Sequence, residues 1–206
     1  MTNIVVLGAH GQIARIATRQ LLERTDATLT LYLRRARRLD ALVPNPRIQL
    51  VEGDATDAAT LDRAMAGQDI VYANLSGDMK RQAQTIVASM TRAGVRRLIF
   101  VSSMGIYDEV PGERYRSILD PYRDSATIVE GSGLDFTVLR PAWLDDEDEI
   151  AYGVTRKGEP FVNAMATVSR ASVADLIVRL VNEPSFGVGE SFGVHGAPHI
   201  VHRRPS

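Results

Sequence analysis

Six short apolar runs rich in β-branched residues, separated by longer stretches with helical spacing, sharply limit what this chain can fold into. The runs lie at residues 3–7, 28–33, 48–52, 70–73, 98–102 and 136–139. Between them, residues 12–24, 36–42, 58–66, 81–93 and 122–131 repeat apolar positions at helical spacing and stop near Gly, Pro or a short polar turn. Strands that read as near-continuous hydrophobic runs are buried on both faces, so the alternation predicts an α/β fold: a parallel sheet with helices on each side. After Arg140-Pro141 the alternation fails. Asp145 to Glu149 is an unbroken acidic run, Lys157-Gly158-Glu159-Pro160 is turn-like, and a last helix is expected over 172–182, with Ser172 and Asp175 as a variant capping box.

At 206 residues the chain suits one domain. The expected division is a core at 1–143, an elaboration at 144–198 that folds over the carboxyl ends of the strands and completes one site, and a frayed basic tail at 199–206. Hydrophobic content of 45% is ordinary for a globular protein, and a net charge of -1 gives no bias toward nucleic acid or an anionic membrane. With no cysteine, disulfides, thiolate catalysis and thiolate metal sites are excluded. The first apolar run is far shorter than a signal-peptide core or a membrane span, which predicts a cytoplasmic protein. His10, His195, His199 and His202 lack metal-ligand spacing, and no metal is expected.

Gly8-x-x-Gly11-x-x-Ala14 follows the first strand and opens the first helix. In that setting Gly8 permits a sharp turn, Gly11 lets a pyrophosphate approach the backbone, and Ala14 lets helix and strand pack closely. Free amides at the helix start then hold the anion, with His10, Gln12 and Ile13 in the same turn against it. The plainer alternative is a tight turn with no ligand. The second strand is followed by Arg34-Arg35-Ala36-Arg37-Arg38 instead of an acidic residue. An acid there accepts from the ribose 2′-hydroxyl of NAD, whereas arginine grips the 2′-phosphate of NADP. Arg34 and Arg35 are therefore expected on an NADP(H) cofactor, with Arg38 in reserve.

The spacing of that turn resembles the Gly-x-x-Gly-x-x-Gly/Ala of extended and atypical short-chain dehydrogenases/reductases, and with the later segments it is similar to the NmrA-like NAD(P)H-binding group, which has a Rossmann-type doubly wound parallel sheet. The resemblance implies that Gly53-Asp54-Ala55-Thr56-Asp57 lies beside the adenine, with Asp54 hydrogen-bonding it and Ala55 lining its pocket. It also places Leu75, Ser76 and Gly77 under the riboses, and Ser102 and Ser103 on the active-site serine segment. Pro141, Ala142 and Trp143 would flank the nicotinamide, and Tyr122 would point at its ribose.

Short-chain reductases use Tyr-x-x-x-Lys, in which lysine lowers the tyrosine pKa for proton exchange. Here Tyr107, Tyr115 and Tyr122 are followed four residues on by Pro111, Leu119 and Ala126, and the only lysines are Lys80 and Lys157. Hydride transfer belongs to the cofactor, so an NADPH-dependent oxidoreductase acting on a quinone, flavin or carbonyl remains the leading expectation, with Ser103 and Tyr122 as catalytic candidates. The alternative is a non-catalytic NADP(H) sensor that binds a protein partner. Beyond a small-molecule substrate, a second copy of the chain is the other expected partner; nucleic acid and membrane are not.

Overall fold

The structure, a computed structural model, describes residues 1–197. β1 (Asn3–Leu7) and α1 (Gln12–Arg24) are followed by β2 (Thr28–Leu33), β3 (Ile48–Glu52), α2 (Ala58–Met65), β4 (Ile70–Ala73) and α3 (Met79–Ala93). Next come β5 (Arg97–Val101), α4 (Asp120–Glu130) and β6 (Asp135–Pro141). The chain ends in β7 (Trp143–Asp145), β8 (Tyr152–Arg156), β9 (Thr167–Ser169), α5 (Arg170–Asn182) and β10 (Glu190–Gly196). Eight strands form one sheet in the order β3-β2-β1-β4-β5-β6-β10-β8, and β7 and β9 make a separate parallel ladder.

Successive strand residues point to opposite faces, and both faces are dry. Ile4, Val6, Leu29, Leu31, Ile99 and Leu139 pack with α1 and α5 on one side. Val5, Leu7, Val71, Leu98, Phe100 and Val138 pack with α2, α3 and α4 on the other. Helix ends follow local chemistry. Asp57 caps α2 through the amides of Ala59 and Thr60, Asp78 caps α3 through Arg81, and Gly94 at φ 71° closes α3 in the left-handed conformation.

Several expectations need correction. The sheet is not wholly parallel, because β8 pairs antiparallel with β10 at the edge. The part after Trp143 holds four strands, and β10 and β8 widen the central sheet instead of only covering the strand ends. Residues Ala36–Leu42 form 3-10 turns broken at Leu39, not an α-helix; only Leu39 is buried there, too little apolar surface to hold a regular helix against the sheet. The last helix starts earlier than Ser172. Ser169 is its cap and accepts from the Ser172 amide at 2.9 Å, while Asp175 accepts from the Tyr152 hydroxyl at 2.8 Å. The tail at 199–206 falls outside the described residues.

One ion pair is fully interior. Arg140 on β6 meets Glu109, and both side chains are almost completely removed from solvent. Glu109 also accepts from the amides of Gly105 at 3.1 Å and Tyr107 at 2.9 Å, which ties the loop after β5 to β6. Among the described residues no helix is long and apolar enough to cross a membrane, and no cluster of three or more His, Asp or Glu side chains could hold a metal ion.

Candidate functional site

Strand order reverses between β1 and β4, and connections leaving in opposite directions open a crevice beyond the carboxyl ends of the strands. A cleft of about 510 Å³ lies there. Its floor is the glycine turn. Gly8 stands at φ +76°, and a Cβ on it would lie 2.2 Å from the Asn74 carbonyl oxygen; a Cβ on Gly11 would lie 2.3 Å from the Asn74 amide nitrogen. Gly8 therefore excludes a side chain by backbone conformation as well as space, while at Gly11 the obstacle is the movable end of the Asn74 side chain. Gly11 starts α1 with no side-chain cap, leaving the first-turn amides and the positive helix end directed at an anion.

The end of β2 supplies charge. Arg34, Arg35 and Arg38 line the cleft, and none of the three forms an ion pair among the described residues. Burial and the charges of Arg38 and Arg15 push the His10 imidazole below its ordinary value, so it is neutral at pH 7 and the positive field comes from the guanidinium groups. Opposite them, the Thr56 amide and hydroxyl donate to the Asp54 carboxylate at 2.9 and 2.8 Å. These bonds hold Asp54 below the usual carboxylate range, helped by Arg34 and Arg81. The Tyr32 hydroxyl donates to the Asp54 carbonyl at 2.8 Å, and burial together with Asp57 and Asp54 raises its pKa to about 12. Its ring lies across Gly53, where a Cβ would come within 2.3 Å of the hydroxyl oxygen.

Gly8, His10, Gly11, Arg34, Arg35, Asp54, Ala55, Leu75 and Ser76 thus come together around one cleft, with Arg38 beside them. Gln12, Ile13, Gly77, Ser102, Ser103, Tyr122, Pro141, Ala142 and Trp143 do not border it. Ser102 is buried with an unpartnered hydroxyl, and Ser103 donates to the Met104 carbonyl at 3.2 Å. Tyr122 packs against the core beneath α4. Ala142 is buried with its amide on the Val194 carbonyl, and Trp143 is half exposed with the Arg116 guanidinium 6.0 Å from its ring.

Tyr32, Leu33 and Gln82 also line the cleft, as do Gly53 and Asn74. Tyr32 and Leu33 read as interior strand positions, and Gln82 as the polar side of a helix.

The fold does bring a tyrosine and a lysine together, though not as a proton-transfer dyad. The Lys157 ammonium lies 4.4 Å from the Tyr107 ring centre and pairs with Glu130, while the Tyr107 hydroxyl donates to Glu130 at 2.5 Å. Burial and that bond push Tyr107 upward from its ordinary value, the opposite of what a base requires.

A family model described as NAD(P)H-binding matches residues 8–184. The chain is 30% identical over 138 residues to the (4-alkanoyl-5-oxo-2,5-dihydrofuran-3-yl)methyl phosphate reductase of Streptomyces griseus; the match takes in 67% of this chain but only 46% of that relative. A Rossmann-fold NAD(P)-binding family protein from Shigella flexneri superposes with a TM-score of 0.84 at 42% identity, covering 100% of this chain and 98% of the other. A short-chain dehydrogenase/reductase from Veillonella parvula, solved in complex with NADP, gives 0.87 at 28% identity, covering 100% and 99%. The chain therefore belongs to the NAD(P)H-binding family, and it is similar to solved short-chain dehydrogenases/reductases.

Proposed function

We propose that this chain is an NADPH-dependent reductase of small conjugated acceptors. The observation that carries the reading is the group of three arginines without ionic partners among the described residues, set beside a glycine turn at the point where strand order reverses. The residues present fit the cofactor. Gly8 and Gly11 leave the space a pyrophosphate needs, the first-turn amides of α1 face it, and Arg34 and Arg35 with Arg38 offer the bidentate donors that a ribose 2′-phosphate takes. Asp54, Ala55, Leu75 and Ser76 would hold the adenosine half, and Pro141, Ala142 and Trp143 the nicotinamide end.

When bound, the reduced nicotinamide supplies a hydride. The acceptor class follows from what the chain lacks. Tyr107 is tied to Glu130 and the sequence has no Tyr-x-x-x-Lys, so the proton-donating dyad of short-chain reductases is missing. A conjugated acceptor needs none, because the charge that develops spreads over its own π system and the proton can come from solvent. The Streptomyces relative's name supports this, since an oxo-dihydrofuran bearing an alkanoyl group has its ring double bond conjugated with carbonyls. Ser103 and Tyr122 are assigned to orient the substrate.

The test is NADPH oxidation by the purified chain against a panel of quinones, flavins, unsaturated lactones and simple ketones. Turnover confined to the conjugated members is expected. Turnover of simple ketones alone would overturn the acceptor class, and tight NADP⁺ binding without turnover on any member would replace the reductase with the sensor.

A further inference from the structure

His10 is held between the glycine turn and the arginines. The amides of Gly8 and Ala9 both donate to the Tyr32 carbonyl, at 3.0 and 3.3 Å, which clamps the turn carrying His10 to the strand that leads into Arg34 and Arg35. The half-buried imidazole borders the cleft together with Arg34, Arg35 and Arg38. Arg15, in the first turn of α1, adds its charge to that of Arg38 at the ring. Carboxylates nearby are already engaged: Asp54 receives the Thr56 amide and hydroxyl, and Glu52 accepts from the Ala36 amide at 2.8 Å. The Tyr32 hydroxyl, also at the cleft, stays protonated far above neutral pH. Burial and the two guanidinium charges keep the imidazole neutral at pH 7. A dianion placed among the same groups reverses the local field and favours the imidazolium.

We propose that His10 is a proton-linked ligand of the ribose 2′-phosphate: when NADP(H) enters, the imidazole takes a proton from solvent and joins Arg34, Arg35 and Arg38 as a further cation on that phosphate. This rests on the nucleotide reading given above. The proton stays on the ring while the nucleotide is bound, and no bond of the cofactor changes. NAD(H) brings no 2′-phosphate to this end of the cleft, so its binding leaves the ring neutral. Proton uptake on binding makes the affinity for NADP⁺ rise as pH falls below neutrality; the arginines, charged across that range, give no such dependence. The second ionisation of the phosphate itself, at about pH 6, works in the opposite direction, because protonation weakens its hold on the guanidinium groups.

The test is calorimetric titration of the full chain with NADP⁺ and NAD⁺, at several pH values and in buffers of different ionisation enthalpy, for wild type and His10→Gln. Both proteins share whatever comes from the phosphate's own ionisation, so the difference between them reads the histidine. At pH 7 wild type is expected to take up roughly half a proton more per NADP⁺ than the variant, and between pH 8 and 6.5 its NADP⁺ affinity should rise about fivefold or more relative to the variant's, with no such difference for NAD⁺. By NMR, the His10 ring resonance, identified by its absence from the variant, should titrate below about pH 6.5 in the free chain and above about pH 7.5 at saturating NADP⁺. A His10 titration unmoved by saturating NADP⁺ would overturn the proposal, whatever the variant binds. Equal proton uptake with NAD⁺ would overturn the assignment to the 2′-phosphate, whereas wild type binding neither nucleotide would overturn the nucleotide reading and this proposal with it.

Discussion

At the residue scale, the glycine turn and the arginines make separable demands. Gly8 and Gly11 both lack room for a Cβ, but the obstacles differ. Gly8 faces a backbone carbonyl from a left-handed conformation, while Gly11 faces the end of the Asn74 side chain, which can swing aside. Gly8→Ala should therefore destabilise the fold by about 2 kcal/mol or more in denaturant titration. Gly11→Ala should cost under about 1 kcal/mol in stability, yet it should weaken nucleotide binding, because its methyl group and the displaced amide stand where the pyrophosphate approaches. Equal stability losses would contradict this division. The arginines act on affinity and cofactor choice. The double variant Arg34→Ala with Arg35→Ala should lower NADP⁺ affinity by about a hundredfold, as two charge-assisted contacts are lost, and leave NAD⁺ within about threefold. Equal losses for the two nucleotides in calorimetry would sink the 2′-phosphate assignment.

At the scale of elements, the loop after β5 is held by one buried carboxylate. Glu109 satisfies two loop amides and the Arg140 guanidinium at once, so Glu109→Ala leaves a buried cation and two amides unpaired and should cost about 3–5 kcal/mol. Adding Arg140→Met removes the stranded charge, and the double variant should be more stable than Glu109→Ala alone. A double variant as unstable as the two single losses summed would show that the pair is not coupled. The strands before residue 142 are legible in the sequence because each carries its own apolar residues on both faces. β8 and β10 are not, because their packing is lent from elsewhere. A Cβ on Gly153 would strike the His195 ring at 2.5 Å, and one on Gly193 would strike Phe161 at 2.5 Å, so glycine stands where a strand pattern calls for a large side chain. The polar half of the site shows the same split. Arg34 and Asp54 announce themselves by following a strand, while Gln82 reaches the cleft only through the placement of α3, which no local pattern encodes.

Across the whole molecule, the dry two-faced sheet makes the fold sensitive to base. Tyr72 is fully buried in β4 with no partner for its hydroxyl among the described residues, and burial drives its pKa far above the ordinary value near 10. Tyr107 and Tyr152 are raised by burial and by donating to Glu130 and Asp175, and Tyr32 reaches about 12. Each of these groups has a folded pKa above its unfolded one, so above pH 10 the unfolded chain loses protons that the folded chain keeps. Their contribution is complete below about pH 10 and disappears as pH rises through the folded values. Acid acts through carboxylates instead: Asp54 is depressed in the folded state, and its contribution falls as pH drops below the ordinary carboxylate range. Stability from urea titrations should therefore be flat between about pH 7 and 9 and fall steeply above about pH 10, with phenolate absorbance of the buried tyrosines appearing together with loss of the fold. Tyr152→Phe gives the internal control, since it removes one raised group and should shallow the alkaline slope without moving the acid limb. If the phenolate signal of these tyrosines developed fully while the protein stayed folded, the burial that organises both faces of the sheet would be looser than described.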